Sequence, residues 1–386
     1  MTAAASSASI TDALNQAILT VSEDRLEGFQ ADPLGEISRR SGVALPTVVE
    51  RLRAMLEAGT IRRVRQTLLS TNLAEGALVA WKVPPGRLDS AFDFMFRDDP
   101  FSGHVVLRST DTATPASAFR LWTTLKVPQG FALEKHADYL AVRAGAEAYR
   151  LMPAKCLFAL GVGHVRRRGM EPGARSERPA DVLPVSRVSL TGIEWRVLLA
   201  LKREFEASEI VPDLWRGRAE EAGVSLEQFC RVAGELQRRK LIGRFSTFLE
   251  HVTPHADGER VTRYNALFHW AVPKGREMDA GREVGRHHIV THAYWREAGP
   301  EFGDVNIMAV VHGTDKTQVL EHKQAIDAHL AGGGIVSGYT NVFWGGRSEI
   351  KPSEVAPQAY VGWCRRNGID PEHMRSSVHT EEEDHS

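Results

Sequence analysis

Apolar residues recur every three to four positions from Asp12 to about Val64, at Leu34, Ile37, Val43, Val48, Leu52, Leu56 and Ile61. That spacing predicts helices, with breaks at Ser41-Gly42 and Ala58-Gly59. A basic, strand-like run follows at Ile61–Leu69, so the stretch reads as a winged helix-turn-helix unit. From Ala77 the rhythm changes. ALVAWKV alternates as a strand, RLDSAFDFMF is helical, and SGHVVLRST and SAFRLWTTLKV are strands. FALEKHADYLAVRAG is a second helix, and AEAYRLMPAKCLFAL a final strand. The order βαββαβ predicts a ferredoxin-like sandwich.

The plan returns about 190 residues later. ALVAWKVPPG from Ala77 is answered by ALFHWAVPKG from Ala266, which keeps Trp81 as Trp270 and the closing Val-Pro-x-Gly. Ser41–Leu69 matches Ala222–Leu249, and His104 and Arg108 fall opposite His292 and Arg296. A period this long excludes a solenoid unit and reads as two homologous subunits fused in one chain, paired internally. The expected fold class is α+β, a tandem repeat of winged helix-turn-helix and ferredoxin-like βαββαβ domains. The expected boundaries are 11–72 and 73–162 for copy one, a linker at 163–188, 189–262 and 263–352 for copy two, and a C-terminal tail at 353–386. Beyond about Asn367 the tail, ending in TEEEDHS, reads as disordered, the insert His251–Arg263 lengthens the wing of copy two, and the VRRRG run at Val165–Gly169 reads as solvated coil.

Composition narrows the class. Of 386 residues, 42% are hydrophobic and 25% charged, as in globular proteins, and the net charge of −1 lacks the footprint of a strong nucleic-acid binder. Cys156, Cys230 and Cys364 form no CxxC, which argues against disulfide, Fe–S and Cys-rich zinc frameworks. No apolar run is long enough to span a membrane, and MTAAASSAS does not read as a signal peptide, so a cytoplasmic location is expected.

The chemistry concentrates on the second strand of each sandwich. A strand repeats every two residues, so His292, Tyr294 and Arg296 share one face, as do His104, Val106 and Arg108. Arg binds carboxylates bidentately and His exchanges protons near neutrality, so the rows suit an anionic ligand. A lone His and Arg on one strand most often mark a solvated face; their retention in both copies favours function. His287, His288 and His312 lie close by in copy two, and His269 stands beside Trp270. Their spacing matches no zinc pattern, so no metal site is expected. Trp81, Trp122, Trp270, Tyr294 and Trp295 stand on expected strands, half of them for packing and half free to wall a pocket for a flat macrocycle. The expected recognition helices carry Arg51 and Arg53 in copy one, and Arg231, Arg238, Arg239 and Lys240 beside Glu227 and Glu235 in copy two. Neither starts with residues suited to reading bases.

Winged helix plus βαββαβ is the plan of the Lrp/AsnC regulators. The details are more similar to siroheme decarboxylases of the AhbA/AhbB and NirD/NirL type, whose two homologous subunits pair; this chain looks like two such subunits fused. THAYWRE followed by DVNIMAVVHG in copy two, and FRLWTTL and LMPAKCLFALGV in copy one, resemble that family's motifs. The resemblance spans Leu14–Val162 and Ile193–Pro352. It implies removal of carbon dioxide from two acetate side chains of siroheme, giving didecarboxysiroheme in the alternative haem route or in haem d1 synthesis. It implies His292 as acid, Arg296 as carboxylate clamp and Tyr294 as supporting donor, with His104 and Arg108 as counterparts. His287, His288, His312 and Trp122 would help bind substrate. Copy one departs from the pattern at Val106 and at Arg120, which could grip a further carboxylate. No separate cofactor is implied, because siroheme carries its own iron. A rival reading is a fused Lrp/AsnC-like regulator that senses a tetrapyrrole or amino acid and binds DNA.

Overall fold

Capping residues set where the helices start, and hydrophobic rhythm sets how they pack. The structure is a computed structural model that describes residues 8–69, 72–161, 167, 169–184, 188–249 and 263–376. The insert before Arg263, most of the VRRRG run and the acidic end of the chain lie outside these residues. The first segment contains α1 (Ala13–Ser22), β1 (Leu26–Glu27), α2 (Pro33–Ser41), α3 (Leu45–Glu57) and β2 (Ile61–Leu68). Next come β3 (Ala74–Lys82), α4 (Leu88–Arg97), β4 (Ser102–Thr110), β5 (Leu121–Pro128), α5 (Leu133–Ala144), β6 (Ala148–Pro153) and β7 (Cys156–Leu160). After β8 (Leu183–Pro184), a second helical segment holds α6 (Gly192–Lys202), α7 (Arg216–Glu221), α8 (Leu226–Arg238) and β9 (Ile242–Leu249). The chain continues through β10 (Tyr264–Ala271), α9 (Glu277–Gly285), β11 (Val290–Trp295), β12 (Ile307–Gly313), α10 (Lys316–Gly332), β13 (Tyr339–Ile350) and α11 (Pro357–Arg366). Both βαββαβ orders are therefore present.

Two compact units divide the chain: Met1–Asn72 with Lys155–Gly345, and Leu73–Ala154 with Gly346–Ser386. The first unit holds both helical segments. Asp12 caps α1 by accepting from Leu14 N–H and Asn15 N–H, and Thr191 with Glu194 forms a capping box on α6. A separate wing hairpin in each copy is not what forms among the described residues. Instead β2 pairs antiparallel with β9, Val64 opposite Thr247, and β1 pairs with the other side of β9. The pairing gives β9 a partner on each side. Arg53 Nε donates to the Ile210 carbonyl at 2.9 Å and Trp215 Nε1 to the Gln30 carbonyl at 2.8 Å, lacing the two segments together.

The other sheet of the first unit runs β13–β10–β12–β11–β7–β8, with the part of β13 up to Gly345 paired to β10. Helices α9 and α10 cover one face, over Phe268, Trp270, Val290, Ala293, Ile307, Ala309 and Val311. Trp270 lies in this core, its Nε1 bonded to Asp327 at 2.6 Å. Gly281 and Gly285 let α9 approach the sheet, since a Cβ at Gly281 would lie 2.0 Å from the Phe158 ring.

The second unit runs β6–β3–β5–β4, followed by the end of β13. Its core gathers Val79, Trp81, Phe92, Phe101, Val105 and Phe131. Two expected boundaries are corrected here. Copy one does not keep all of its last strand: the ladder with β3 ends at Pro153, and β7 pairs with β11 in the first unit. Proline has no N–H to continue a ladder, so the strand breaks there. Nor is 353–386 a tail throughout. Pro357–Arg366 is helical, and Tyr360, Trp363, Cys364 and Met374 complete the core of the second unit. Tyr360 Oη lies 2.9 Å from His136 Nδ1, and His136 Nε2 3.3 Å from buried Asp99. The apolar spacing of Tyr360, Trp363 and Cys364 is the helical signal that the charged neighbours Arg365 and Arg366 obscured.

Candidate active site

Alternation on β11 sends Ala293 into the helix-covered core and turns His292 and Tyr294 to the opposite face, where Arg296, just past the end of the strand, lies over Tyr294. A bulge at Thr291 precedes the row: Val290 sits opposite Val311, and His292 opposite Val310. Bulges re-aim the side chains that follow them. The His292 and Tyr294 rings stack 6.2 Å apart at 14°, and Arg296 Cζ lies 4.4 Å from the Tyr294 ring centre. Thr291 Oγ1 donates to the Val310 carbonyl at 3.0 Å and lies 3.1 Å from His292 Nδ1. Its one proton is committed to the carbonyl, so it accepts from Nδ1–H. The neutral imidazole thus presents its Nε2 lone pair outward.

Burial pushes His292 down to about 3, and the charges of Arg244, Arg167 and Arg296 push the same way. The imidazole is therefore neutral near pH 7, not poised there. Burial raises Tyr294, opposed by Arg296, so the phenol keeps its proton. Arg244 and Arg167 are functional candidates the sequence reading missed. Arg244 Nε reaches the Glu23 carbonyl at 3.3 Å and Nη1 the Leu160 carbonyl at 3.4 Å; Leu160 is paired with His292. Arg167, expected as solvated coil, donates from Nε to the His288 carbonyl at 2.7 Å and pairs with Asp24 at 3.3 Å. Arg244 stands alone in its strand and Arg167 within a run of three arginines, and neither gave a signal beyond charge. Nearby, a cavity of about 480 Å³ is lined by Asp24, Arg25, Glu27 and Arg40.

In the second unit β4 repeats the device. Its bulge falls at Gly103, between the pairs Ser102–Leu125 and His104–Thr124. Both bulge carbonyls take a strand-end N–H at 2.7 Å: Thr291 from Gly161, Gly103 from Lys351. His104 Nε2 lies 2.8 Å from Ser348 Oγ. Arg108 is buried, and burial pushes its guanidinium down to about 10. Val106 replaces the phenol and packs opposite buried Trp122, whose Nε1 donates to the Phe119 carbonyl at 2.7 Å. Arg120 is exposed.

The remaining histidines scatter. His312 alternates onto the His292 face of β12 and is half-buried. His287 is buried in the helical layer, its ring 5.3 Å from His329 on α10; burial first, then His329, pushes it down to about 4. His288 is exposed, 3.1 Å from Ser176 Oγ. His269 is buried, its ring 4.8 Å from Phe343. Among the described residues no group of His, Cys, Asp and Glu is arranged to hold a metal ion, and no helix is long and apolar enough to cross a membrane. Of the arginines expected on the recognition helices, Arg53 is held by Ile210, Arg51 lies 3.6 Å from Asp12, and Arg239 pairs with Glu194.

Comparison with known proteins follows this layout. Residues 73–159 and 262–333 each match the AsnC-like ligand binding domain. A stretch of 102 residues is 24% identical to the siroheme decarboxylase beta subunit of Desulfovibrio desulfuricans, spanning 26% of this chain and 60% of that subunit. The crystal structure of the siroheme decarboxylase NirDL superposes with a TM-score of 0.63 at 18% identity, over 92% of this chain and 98% of that one. NirDL in complex with an iron-uroporphyrin III analogue gives 0.61 at 18% identity, over 92% and 97%. Two segments of the chain thus match the AsnC-like ligand binding domain, and the chain shares the fold of the siroheme decarboxylase NirDL.

Proposed function

We propose that this chain is a siroheme decarboxylase, a carboxy-lyase that removes two acetate carboxylates to give didecarboxysiroheme. The step belongs to the alternative haem route or to haem d1 synthesis, and the reading assigns it to the cytoplasm. The observation that carries it is the His292–Tyr294–Arg296 row under the charges of Arg244 and Arg167. A face with that excess of cations suits a flat substrate rich in carboxylates. The likeness to NirDL along nearly the whole chain supports the same reading.

In this reading Arg296 orients an acetate carboxylate. The bond from the methylene to the carboxyl carbon breaks, carbon dioxide leaves, and the electron pair spreads into the macrocycle. One proton then completes the methyl group. His292 delivers it from Nε2, after the substrate's own charge has made protonation favourable. Each carboxylate that neutralises one of the three arginines removes a cause of the depressed imidazole pKa. Tyr294, which keeps its proton, bonds to the carboxylate or hands on the proton. His104 and Arg108 hold the substrate in copy one rather than react with it. The helical segments are winged helix-turn-helix units with a structural role.

The test is anaerobic incubation of the protein with siroheme, followed by mass analysis of the tetrapyrrole. Loss of one and then two carbon dioxides is expected. An unchanged mass overturns the reading.

A further inference from the structure

In the first unit the carboxylates of Asp24, Glu23 and Glu27 act on Arg244, one of the cations around His292, and Asp24 acts most strongly. Asp24, in the turn after α1, has a side chain only 6% exposed and pairs with Arg167 at 3.3 Å. A Cβ on Gly161 would lie 3.6 Å from Asp24 Oδ2 and 3.2 Å from Arg167 Nη2. Gly161 N–H in turn bonds the carbonyl of Thr291, the residue before His292. Asp24 is also the leading charge that opposes the effect of burial on Arg244. On its other side it lines the cavity of about 480 Å³, whose remaining walls, Arg25, Glu27 and Arg40, are exposed.

We propose that Asp24 is an internal counter-anion: it holds Arg167 and Arg244 until substrate binds and is then replaced there by a carboxylate of the substrate. The inference rests on the polycarboxylate reading of the site. Two guanidinium groups taken from water need a compensating negative charge. Asp24 supplies it without ligand. Once a substrate carboxylate arrives, Asp24 becomes a like-charged neighbour. A ligand with one carboxylate gains little by exchanging places with it, whereas one with several gains from the other clamps as well. Asp24 would thus set selectivity for polycarboxylates.

The test is fluorescence titration with uroporphyrin III, an iron-free polycarboxylate that separates binding from reaction. Asp24→Asn should bind it on the order of tenfold more tightly, because a buried repulsion is gone. Arg167→Gln should bind on the order of tenfold more weakly, and it keeps the test decisive if Asp24→Asn does not fold. Glu27→Gln removes an exposed carboxylate that acts on Arg244 more weakly than Asp24, so it should change binding by no more than about twofold. Unchanged or weaker binding by Asp24→Asn, an equal gain from Glu27→Gln, unchanged binding by Arg167→Gln, or a parent that does not bind uroporphyrin each overturns the proposal. Tighter binding by Asp24→Asn with siroheme left intact keeps the counter-anion and removes the reaction.

Discussion

Strands β11 and β4 carry the same two residue types in the same register, yet they build different surroundings. Each puts its His directly after a bulge whose carbonyl is held by a strand-end N–H. On β11 three arginines act on His292, and a phenol lies between the His and the Arg. On β4 a serine hydroxyl reaches His104 and a valine fills the phenol's place. The bulge geometry is common to both copies, while the phenol stands in one. Both imidazoles have a hydroxyl partner, and a His in a cationic field responds strongly to an arriving anion.

Breaking this comparison should have its largest effect at His292. His292→Ala is expected to slow siroheme decarboxylation by roughly 10²–10⁴-fold, the range of a positioned general acid, while His104→Ala slows it by less than about tenfold. Equal losses in single-turnover assays would abolish the proposed division of labour. Next in size is Arg296→Gln, expected to lower kcat/KM by about a hundredfold through lost orientation. A change confined to KM would mean that Arg296 only binds.

A third effect concerns pH and stability. His292 titrates at about 3 and His287 at about 4 in the folded protein, against about 6.5 in an unfolded chain. Between those values the unfolded chain holds more protons, so stability should fall as pH drops from about 6.5 towards 4. Thermal midpoints measured across that window should decline, and less steeply in His287→Asn and His292→Asn. Parallel profiles for parent and both variants would refute their burial as neutral groups. The smallest effect is at the β4 bulge. A Cβ on Gly103 would lie 2.1 Å from Ser353 Oγ and 3.3 Å from the Lys351 carbonyl. Gly103→Ala should therefore cost about 1–3 kcal/mol of stability in denaturant unfolding.

Much of this was legible in order along the chain. The alternation of His292, Tyr294 and Arg296 placed them on one face, because a strand's period is local and exact in register. The same alternation turns Ala293 to the opposite, helix-covered face. The aromatics could not be sorted from sequence: Trp81 and Trp270 pack under helices while Trp122 lies on the other face, a matter of register with neighbouring strands. His287 and His288 lie just before β11 in sequence, yet one is buried in the helical layer and the other is exposed.

By itself the sequence determined the element order, the duplication and the composition of the two His–Arg rows, since each rests on short-range periodicity or on self-similarity. Tertiary structure alone decided that β7 leaves its own copy to pair with β11, that the C-terminal helix completes the core of the second unit, and that Asp24, Arg167 and Arg244 converge on His292. These contacts join segments far apart in the chain. Their favourable energy comes from pairing, burial and charge compensation across long loops, which leave no periodic trace in the residues around them.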